Sequence, residues 1–466
     1  MSSSIKSFLK KNYDKSSSDM YSAFIERVNS FCLDKGISGM ITQDTFMFIG
    51  SYAKLREKLI RGSFPTLLHL GTHAFQEIGG EKVRSVAFTY RNNIQKTSFY
   101  RLIDSKNKKI DYLEGNFKVY KKDLREFRGI EDNVFAYWLP SKYIKLFDEG
   151  NPLGQGEKPV AEVKSGMQTG NNSKFLRYWW EVESDKWKPY AKGKGRQKFY
   201  VSQKNVVDWE NEGKKLKEYE GSVLRNSEYY FHEGITYNST GGDDFSARYL
   251  PEGHIFDNTS QMIFAQKTSN EYLLGLLTSS FANYILSSLN PTLSFQVSDI
   301  KKVPFIEPSK DQQKRVESKI EKIISINKDR ESFDEISPHF KGFESKKRSF
   351  NGFLENIKHN ILKKRNKIKS EWKSVDKQVL KIYGLNKSNL PLREYVVSNK
   401  ISIDKEKLTK RIISYFIQIS LGRWEMDGVE SDEDGILMVS EGVSEDNPSL
   451  IDKIRECISA EWGGAR

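Results

Sequence analysis

The stretch Asp19-Met-Tyr-Ser-Ala-Phe-Ile-Glu-Arg-Val-Asn-Ser-Phe31, followed by Gly39-Met-Ile-Thr42, sets the fold class. Asp19 can cap a helix, and Met20, Phe24, Val28 and Phe31 recur at helical spacing. The first segment therefore predicts an amphipathic helix that buries those four side chains and stops at Gly36. Gly39 to Thr42 reads as a short strand. Working outward, Tyr52, Leu55 and Leu59 share the buried face of a second helix. Thr66-Leu-Leu-His-Leu70 is an apolar strand, Gly79-Gly80 a turn, and Val83 to Tyr90 a longer strand. Residues 1–15, rich in Ser and Lys, read as a lead-in loop. Helix alternating with strand predicts an open, mainly parallel sheet. A doubly wound sheet holds its nucleotide on a glycine turn after the first strand. This segment instead opens on a helix, and the chain contains neither Gly-x-Gly-x-x-Gly nor Asn-Pro-Pro-Tyr. The first 100 or so residues thus read as the later half of an α/β enzyme domain.

Composition bounds the rest. A chain of 466 residues, 37% hydrophobic and 12% aromatic, is globular and long enough for roughly two to four domains. It has no run of about 18 uncharged apolar residues and no apolar N-terminal signal region, so a cytoplasmic protein with no membrane partner is expected. Cys32 and Cys457 stand far apart, and the six histidines form no ligand pattern, which points away from a disulfide framework and from a metal site. Charge is unevenly placed. Residues 420–466 carry 4 Lys/Arg against 12 Asp/Glu, a net of −8, so the preceding 419 residues carry +21 of the overall +13. A body that basic expects a polyanion, bound with strong salt dependence.

Two stretches supply candidate contacts and read as one discontinuous unit. The first is Val163-Lys-Ser-Gly-Met-Gln-Thr-Gly-Asn-Asn-Ser-Lys-Phe-Leu-Arg-Tyr-Trp-Trp180, and the second runs from Leu289 to Phe305. Thr169, Gly170, Asn171 and Asn172 form a tight polar loop, followed by Lys174, Arg177 and the aromatics Tyr178, Trp179 and Trp180. Glycines permit close backbone approach, amides can pair with base edges, cations meet phosphate and aromatics stack. A glycine turn beside a core aromatic cluster fits the same residues equally well. Lys186-Trp-Lys-Pro-Tyr-Ala-Lys-Gly-Lys-Gly-Arg-Gln-Lys198 interleaves cations with aromatics and glycines, making Lys192, Lys194 and Arg196 phosphate-facing candidates in a mobile loop. Asn290 and Gln296 either reach bases or cap the turn around Pro291.

Leu139-Pro140 and Asn151-Pro152 punctuate a domain boundary. Beyond Pro308 the chain turns to amphipathic helices. Val316, Ile320, Ile323 and Ile324 share one face, Phe350, Phe353, Ile357 and Ile361 a second, and Leu408, Ile412, Phe416 and Ile419 a third. Glu162-Val-Lys164 is too short a motif to indicate a nuclease. The run Glu430-x-Asp432-x-Asp434-Gly435 with Glu441 has calcium-loop spacing, but Glu stands at its first position and Gly442 opposes the helix that should follow.

Several of these segments carry a family resemblance. Residues 19–27, Gly39-Met-Ile-Thr-Gln43, Leu55-Arg-Glu-Lys-Leu59, Phe75-Gln-Glu-Ile-Gly-Gly80 and Ser85-Val-Ala-Phe-Thr-Tyr-Arg-Asn92 resemble the late motifs of γ-class adenine-N6 DNA methyltransferases. Gly166 to Trp180, Val207-Asp-Trp-Glu-Asn-Glu-Gly213, Tyr229 to Thr236, Leu289 to Val297, Ile382-Tyr-Gly-Leu385 and Leu421-Gly-Arg-Trp424 resemble a narrower group, the adenine-specific methyltransferases of BREX phage-defence systems and their type IIG restriction-modification relatives. The resemblance is to the C-terminal part only. It implies an α/β plus mixed α+β protein. Residues 1–105 would form the later half of a Rossmann-like methyltransferase sheet, 106–308 a target-recognition domain, 309–422 a helical spacer and 423–466 an acidic segment. It also implies transfer of a methyl group from S-adenosylmethionine to adenine N6 in double-stranded DNA, with the cofactor motif and catalytic loop supplied by an upstream methyltransferase fragment, and that fragment or other defence-system proteins as partners. No residue of this chain is expected to be catalytic; Tyr90 would stack on the flipped base. A non-catalytic, sequence-specific DNA-binding protein is the alternative.

Overall fold

The computed structural model describes residues 2–33, 35–75, 83–93, 95–193, 197–239, 245–290, 294–343, 350–386, 405–420 and 450–462. Gly79-Gly80, Lys194, Arg196, Pro291, Leu421-Gly-Arg-Trp424 and the acidic run 430–441 lie outside them. The protein is a mixed α/β chain with several sheets. It divides into two units, Met1–Glu162 with Ala282–Glu307, and Val163–Phe281 with Pro308–Arg466.

In the first unit, helices α1 (Ser3–Asn12) and α2 (Met20–Ser30) precede strand β1 (Ser38–Gln43). Helix α3 (Ala53–Leu59) leads into β2 (Ser63–Gly71), β3 (Ser85–Arg91) and β4 (Thr97–Arg101). Helix α4 (Lys108–Glu114), β5 (Lys118–Lys122), α5 (Ser141–Glu149) and β6 (Asn151–Pro152) follow. The sheet order is β1-β3-β2-β4-β5. The expectation of a mainly parallel sheet is corrected, because only β2 and β4 pair in parallel while β1–β3, β2–β3 and β4–β5 are antiparallel. β3 turns back between β1 and β2, so those two run in the same direction without touching.

Two local expectations also change. Residues 3–12 form a helix whose first turn is capped by the Ser2 hydroxyl, not a loop. α2 is capped by Asp19 as expected, its carboxylate accepting from Met20 N at 2.6 Å, but it ends at Ser30. It turns Ser22, Ala23 and Ile25 inward, and the predicted face points outward, with Met20 41%, Phe24 53% and Phe31 67% exposed. Tyr52, Leu55 and Leu59 are buried as the pattern requires.

β7 (Ala161–Lys164) carries the chain into the second unit, followed by α6 (Asn172–Phe175), β8 (Leu176–Tyr178), β9 (Trp187–Ala191), β10 (Phe199–Tyr200) and β11 (Asn205–Asp208). Then come α7 (Glu210–Lys217), β12 (Gly234–Asn238), β13 (Ala247–Leu250), β14 (Ile255–Phe256), β15 (Ser260–Ala265) and α8 (Asn270–Leu277). The strands form two sheets, β10-β13-β12-β15-β7 and β14-β9-β11-β8. Met167, Phe175, Tyr190, Val207, Tyr230 and Phe256 belong to one core beneath them.

The chain returns to the first unit through α9 (Ser280–Leu289), α10 (Val297–Lys301) and β16 (Pro304–Phe305), which pairs antiparallel with β6. Segments 106–162 and 282–307, expected with the recognition domain, therefore fall in the first unit, held there by the β4–β5 and β6–β16 pairings. It also follows that the stretches 163–180 and 289–305 belong to different units. Helices α11 (Lys310–Glu331), α12 (Phe350–Ile382), α13 (Lys405–Ser420) and α14 (Leu450–Trp462) complete the second unit. The first half of α12 shares an apolar cluster with Leu408, Ile412, Phe416 and Ile419 of α13. In its second half, Trp372 Nε1 donates to Thr278 O at 3.2 Å. Among the described residues no helix is long and apolar enough to cross a membrane.

Candidate nucleic-acid interface

The loop at 166–174 is held by backbone contacts that leave no room for side chains at its glycines. A Cβ on Gly166 would stand 2.1 Å from Phe256 O, and Met167 N donates to that same carbonyl at 2.8 Å. Gly170 has φ +71°, and a Cβ there would come within 2.8 Å of the Gly221 backbone. Between them Gln168 and Val223 exchange both backbone hydrogen bonds, at 2.9 and 2.8 Å. The close approach that the glycines permit is thus to the protein's own chain. The result is a fixed loop.

This anchoring decides what the loop offers. Thr169 is buried, and its hydroxyl donates to Asn172 Oδ1 at 2.7 Å. Asn171 Oδ1 accepts from Lys174 N at 3.1 Å, capping α6. Each exposed asparagine has one hydrogen bond accepted at its oxygen within the loop and presents its NH2 donors, which match phosphate oxygens or purine N7 and O6. Gln168 is exposed, and its side-chain amide has no hydrogen-bond partner among the described residues. It keeps the donor and the acceptor that two-way pairing needs. The alternation of Met167, fully buried, with Gln168 was the available signal for it.

The neighbouring cations and aromatics are partly committed. Lys174 lies 4.6 Å from the Tyr219 ring centroid. Arg177 donates to Ser173 O and Leu176 O at 2.8 and 2.7 Å, which leaves it less free for phosphate than expected. Trp179 is half-buried and donates to Ile336 O at 3.3 Å, an anchor. Tyr178 and Trp180 stack at 4.6 Å and 6°, with Tyr178 46% exposed, so the open ring face belongs to them. Part of the expected mobile loop 186–198 is the strand β9, and Lys192 just beyond it is half-buried.

The remaining candidates lie in the first unit. Asn290 is buried and donates to Asp299 Oδ2 at 2.7 Å and Ser294 O at 3.0 Å, while Gln296 caps α10. Both side chains are engaged locally, while the turn around Pro291 lies outside the described residues. Tyr90 is 3% exposed, packs edge-on against Phe64 and donates to Leu59 O at 3.2 Å, and burial pushes its phenol up to about 12. Its register partner in β1 is Ser38, at the strand's amino end, and in this packing it has no ring face to offer a base.

At the opposite, carboxyl end of β1 and β2 a buried polar cluster closes the sheet. His69 Nε2 meets Asp44 Oδ2 at 2.8 Å, and Arg84 Nε donates to the same oxygen at 2.9 Å. His69 Nδ1 lies 2.8 Å from the Tyr137 hydroxyl. The tautomer that donates from Nε2 to Asp44 and accepts at Nδ1 from the Tyr137 hydroxyl satisfies both contacts. Burial holds the His69 imidazole below its ordinary range, although Asp44 pulls it upward. Phe75, just beyond β2 on this side, is 40% exposed.

Comparison with known proteins places the chain in context. The family described as Eco57I restriction-modification methylase matches residues 1–74. The chain is 28% identical over 478 aligned residues to the adenine-specific methyltransferase PglX of Lacticaseibacillus casei (strain Zhang), covering 92% of this chain and 38% of the relative. It is 30% identical over 347 residues to the adenine-specific methyltransferase BrxX of Escherichia coli O9:H4 (strain HS), covering 70% of this chain and 28% of the relative. The chain thus resembles BREX-type adenine-specific methyltransferases while spanning 38% of the length of one relative and 28% of the other. Among solved structures, the type IIL restriction-modification enzyme MmeI in complex with DNA shares 13% identity at a TM-score of 0.48 over 88% of this chain and 55% of that one. A nuclease-deletion mutant of the type ISP enzyme LlaGI with a DNA substrate mimic shares 11% at 0.43, over 70% and 39%. Likenesses this distant carry no argument here.

Proposed function

We infer, from kinship with BREX-type adenine-specific methyltransferases along nearly the whole chain, that this polypeptide is the target-recognising part of an adenine-N6 DNA methyltransferase acting in phage defence. The sheet β1–β5 is read as the later half of the methyltransferase domain, the two sheets of the second unit as the target-recognition domain, and α11–α13 as the helical spacer. Double-stranded DNA is the partner, and the fixed loop carrying Gln168, Asn171, Asn172 and Lys174 is the surface that meets base edges and phosphates.

The observation that carries the division of labour is the uncovered side of the first unit. Ile41 on β1 is 61% exposed, and the turn from α2 into β1 adds Phe31, Leu33 at 86% and Ile37 at 48%. Apolar exposure on this scale marks an interaction surface. A further polypeptide carrying the rest of the methyltransferase sheet is the partner it suits. The methyl donor belongs with that partner. The groove on this side, of about 360 Å³, is lined by Gly39, Met40, Ile41, Thr66, Leu68, Ala87, Phe88 and Thr89. It holds no carboxylate or cation for the ribose, ammonium or carboxylate of S-adenosylmethionine, so these residues do not fit that cofactor. Phe75, 40% exposed beyond β2, is one ring that this unit could offer a base.

The test mixes this chain with a separately made polypeptide carrying the cofactor and catalytic motifs of a relative. Transfer of labelled methyl groups to adenine in duplex DNA is followed. Transfer by the pair and by neither alone is expected. A stable, DNA-bound pair that transfers nothing would sink the reading and leave a DNA-binding specificity protein.

A further inference from the structure

From Ile361 to its end, α12 turns a lysine face outward. At 100° per residue, Ile361, Ile368, Trp372, Val375 and Val379 centre the buried side, whereas Lys363, Lys369, Lys373, Lys377 and Lys381 are all exposed and fall within a sector about 120° wide away from it. At about 1.5 Å per residue the five lysines span roughly 27 Å. Both acids of this half-helix are used elsewhere. Glu371 pairs with Lys319 at 3.2 Å and with Lys322, both on α11, and buried Asp376 accepts from Ser280 N and Oγ at 2.7 Å. None of the five lysines has an ion pair among the described residues.

A merely solvated helix surface has no need of this pattern. On α13, by contrast, Lys410 meets the acid Glu406 four residues before it. On α12, Lys369, Lys373, Lys377 and Lys381 make three successive like-charged neighbours at that spacing, which destabilises a helix. The helix dipole favours Lys381 in the last turn but not the others. A polyanion laid along the face relieves the repulsion.

We propose that the lysine face of α12 runs along the phosphate backbone of duplex DNA and supplies affinity that does not depend on sequence. This rests on the DNA-directed reading above and adds to it a second contact surface. Over roughly 27 Å a duplex carries about 16 backbone charges, one per ~1.7 Å, so the row of lysines matches its partner in length. Lysine carries a compact point charge on a long flexible stem, which suits contact with phosphate oxygens.

The test replaces the five lysines by glutamine in the whole chain and measures the affinity for a long duplex as salt is raised. The log–log slope should become shallower by about 0.9 for each lost phosphate contact, at least about 1.8 in total, while the order of preference within a pool of duplexes stays the same. Replacement by five arginines should keep the slope. Neutralisation removes repulsion, so thermal unfolding should show a folded variant. An unchanged slope in that folded variant overturns the proposal and leaves the functional reading standing. Wild-type chain that binds no duplex at any salt overturns both, and a slope lost on duplex RNA but kept on DNA overturns the choice of DNA.

Discussion

The two edges of the five-stranded sheet are built differently. β5 ends the sheet with Lys118, Lys121 and Lys122 in a five-residue strand, and charged side chains on a short edge are a common defence against strand addition. β1, at the other end, reads Ser-Gly-Met-Ile-Thr-Gln, without a charge. It follows a turn whose Phe31, Leu33 and Ile37 face outward. On the function proposed above, the bare edge is the one that a partner polypeptide would extend. Single exposed apolar residues are ordinary, and β5 has one of its own in Val119 at 47%. The distinction lies in the charges around them.

The largest effect should come from guarding the bare edge. Leu33→Asp with Ile41→Lys removes two exposed apolar side chains, so the stability of the isolated chain should change by no more than about 0.5 kcal/mol each. Complementation by the upstream polypeptide should fall by two orders of magnitude or more, read as labelled methyl transfer. Val119→Lys on the other edge should leave both unchanged. Equal losses from the two edges would remove the asymmetry and with it the reason for placing the partner at β1.

A smaller effect sharpens the separation between the sheet edge and the loop at 166–174. Gln168→Ala should cost about 1–3 kcal/mol of discrimination at one base position while affinity for unrelated duplex barely moves. Asn171→Ala should instead weaken the cap of α6 by about 1 kcal/mol, seen in thermal unfolding. A Gln168 variant with an unaltered sequence preference would remove that residue from base recognition.

These contrasts also mark how far the sequence could be read. Spacing identified α2, β1, α3, β2 and β3 and the faces of the late helices, because periodicity records which side chains share a surface. It does not record what covers that surface, so Met20, Phe24 and Phe31 were expected inside and lie outside. Strand direction was equally hidden: a strand that returns between two others has the same local pattern as one that continues the series, and only the long-range pairing of β3 with both β1 and β2 separates them. Gly166 and Gly170 stood out as sites of close approach, but that the approach is to Phe256 and Gly221 depends on residues fifty or more positions away.

The smallest effect separates the sheet's interior from both edges. His69 is buried on the central strand β2, with its imidazole held below the ordinary 6.5 by burial, and His254 in the second unit is lowered for the same reason. The unfolded chain therefore takes up these protons first as pH falls. The stability they allow is complete above about pH 6.5 and is lost as pH drops through the window between that value and the lower folded ones. The unfolding temperature should decline between about pH 7 and 5, and His69→Gln, which has no imidazole to take up a proton, should flatten part of that decline. The edge variants should leave its slope untouched. A slope altered by Leu33→Asp with Ile41→Lys would mean that the bare edge and the buried cluster are coupled, and the edge could no longer be treated as a surface added to a finished core.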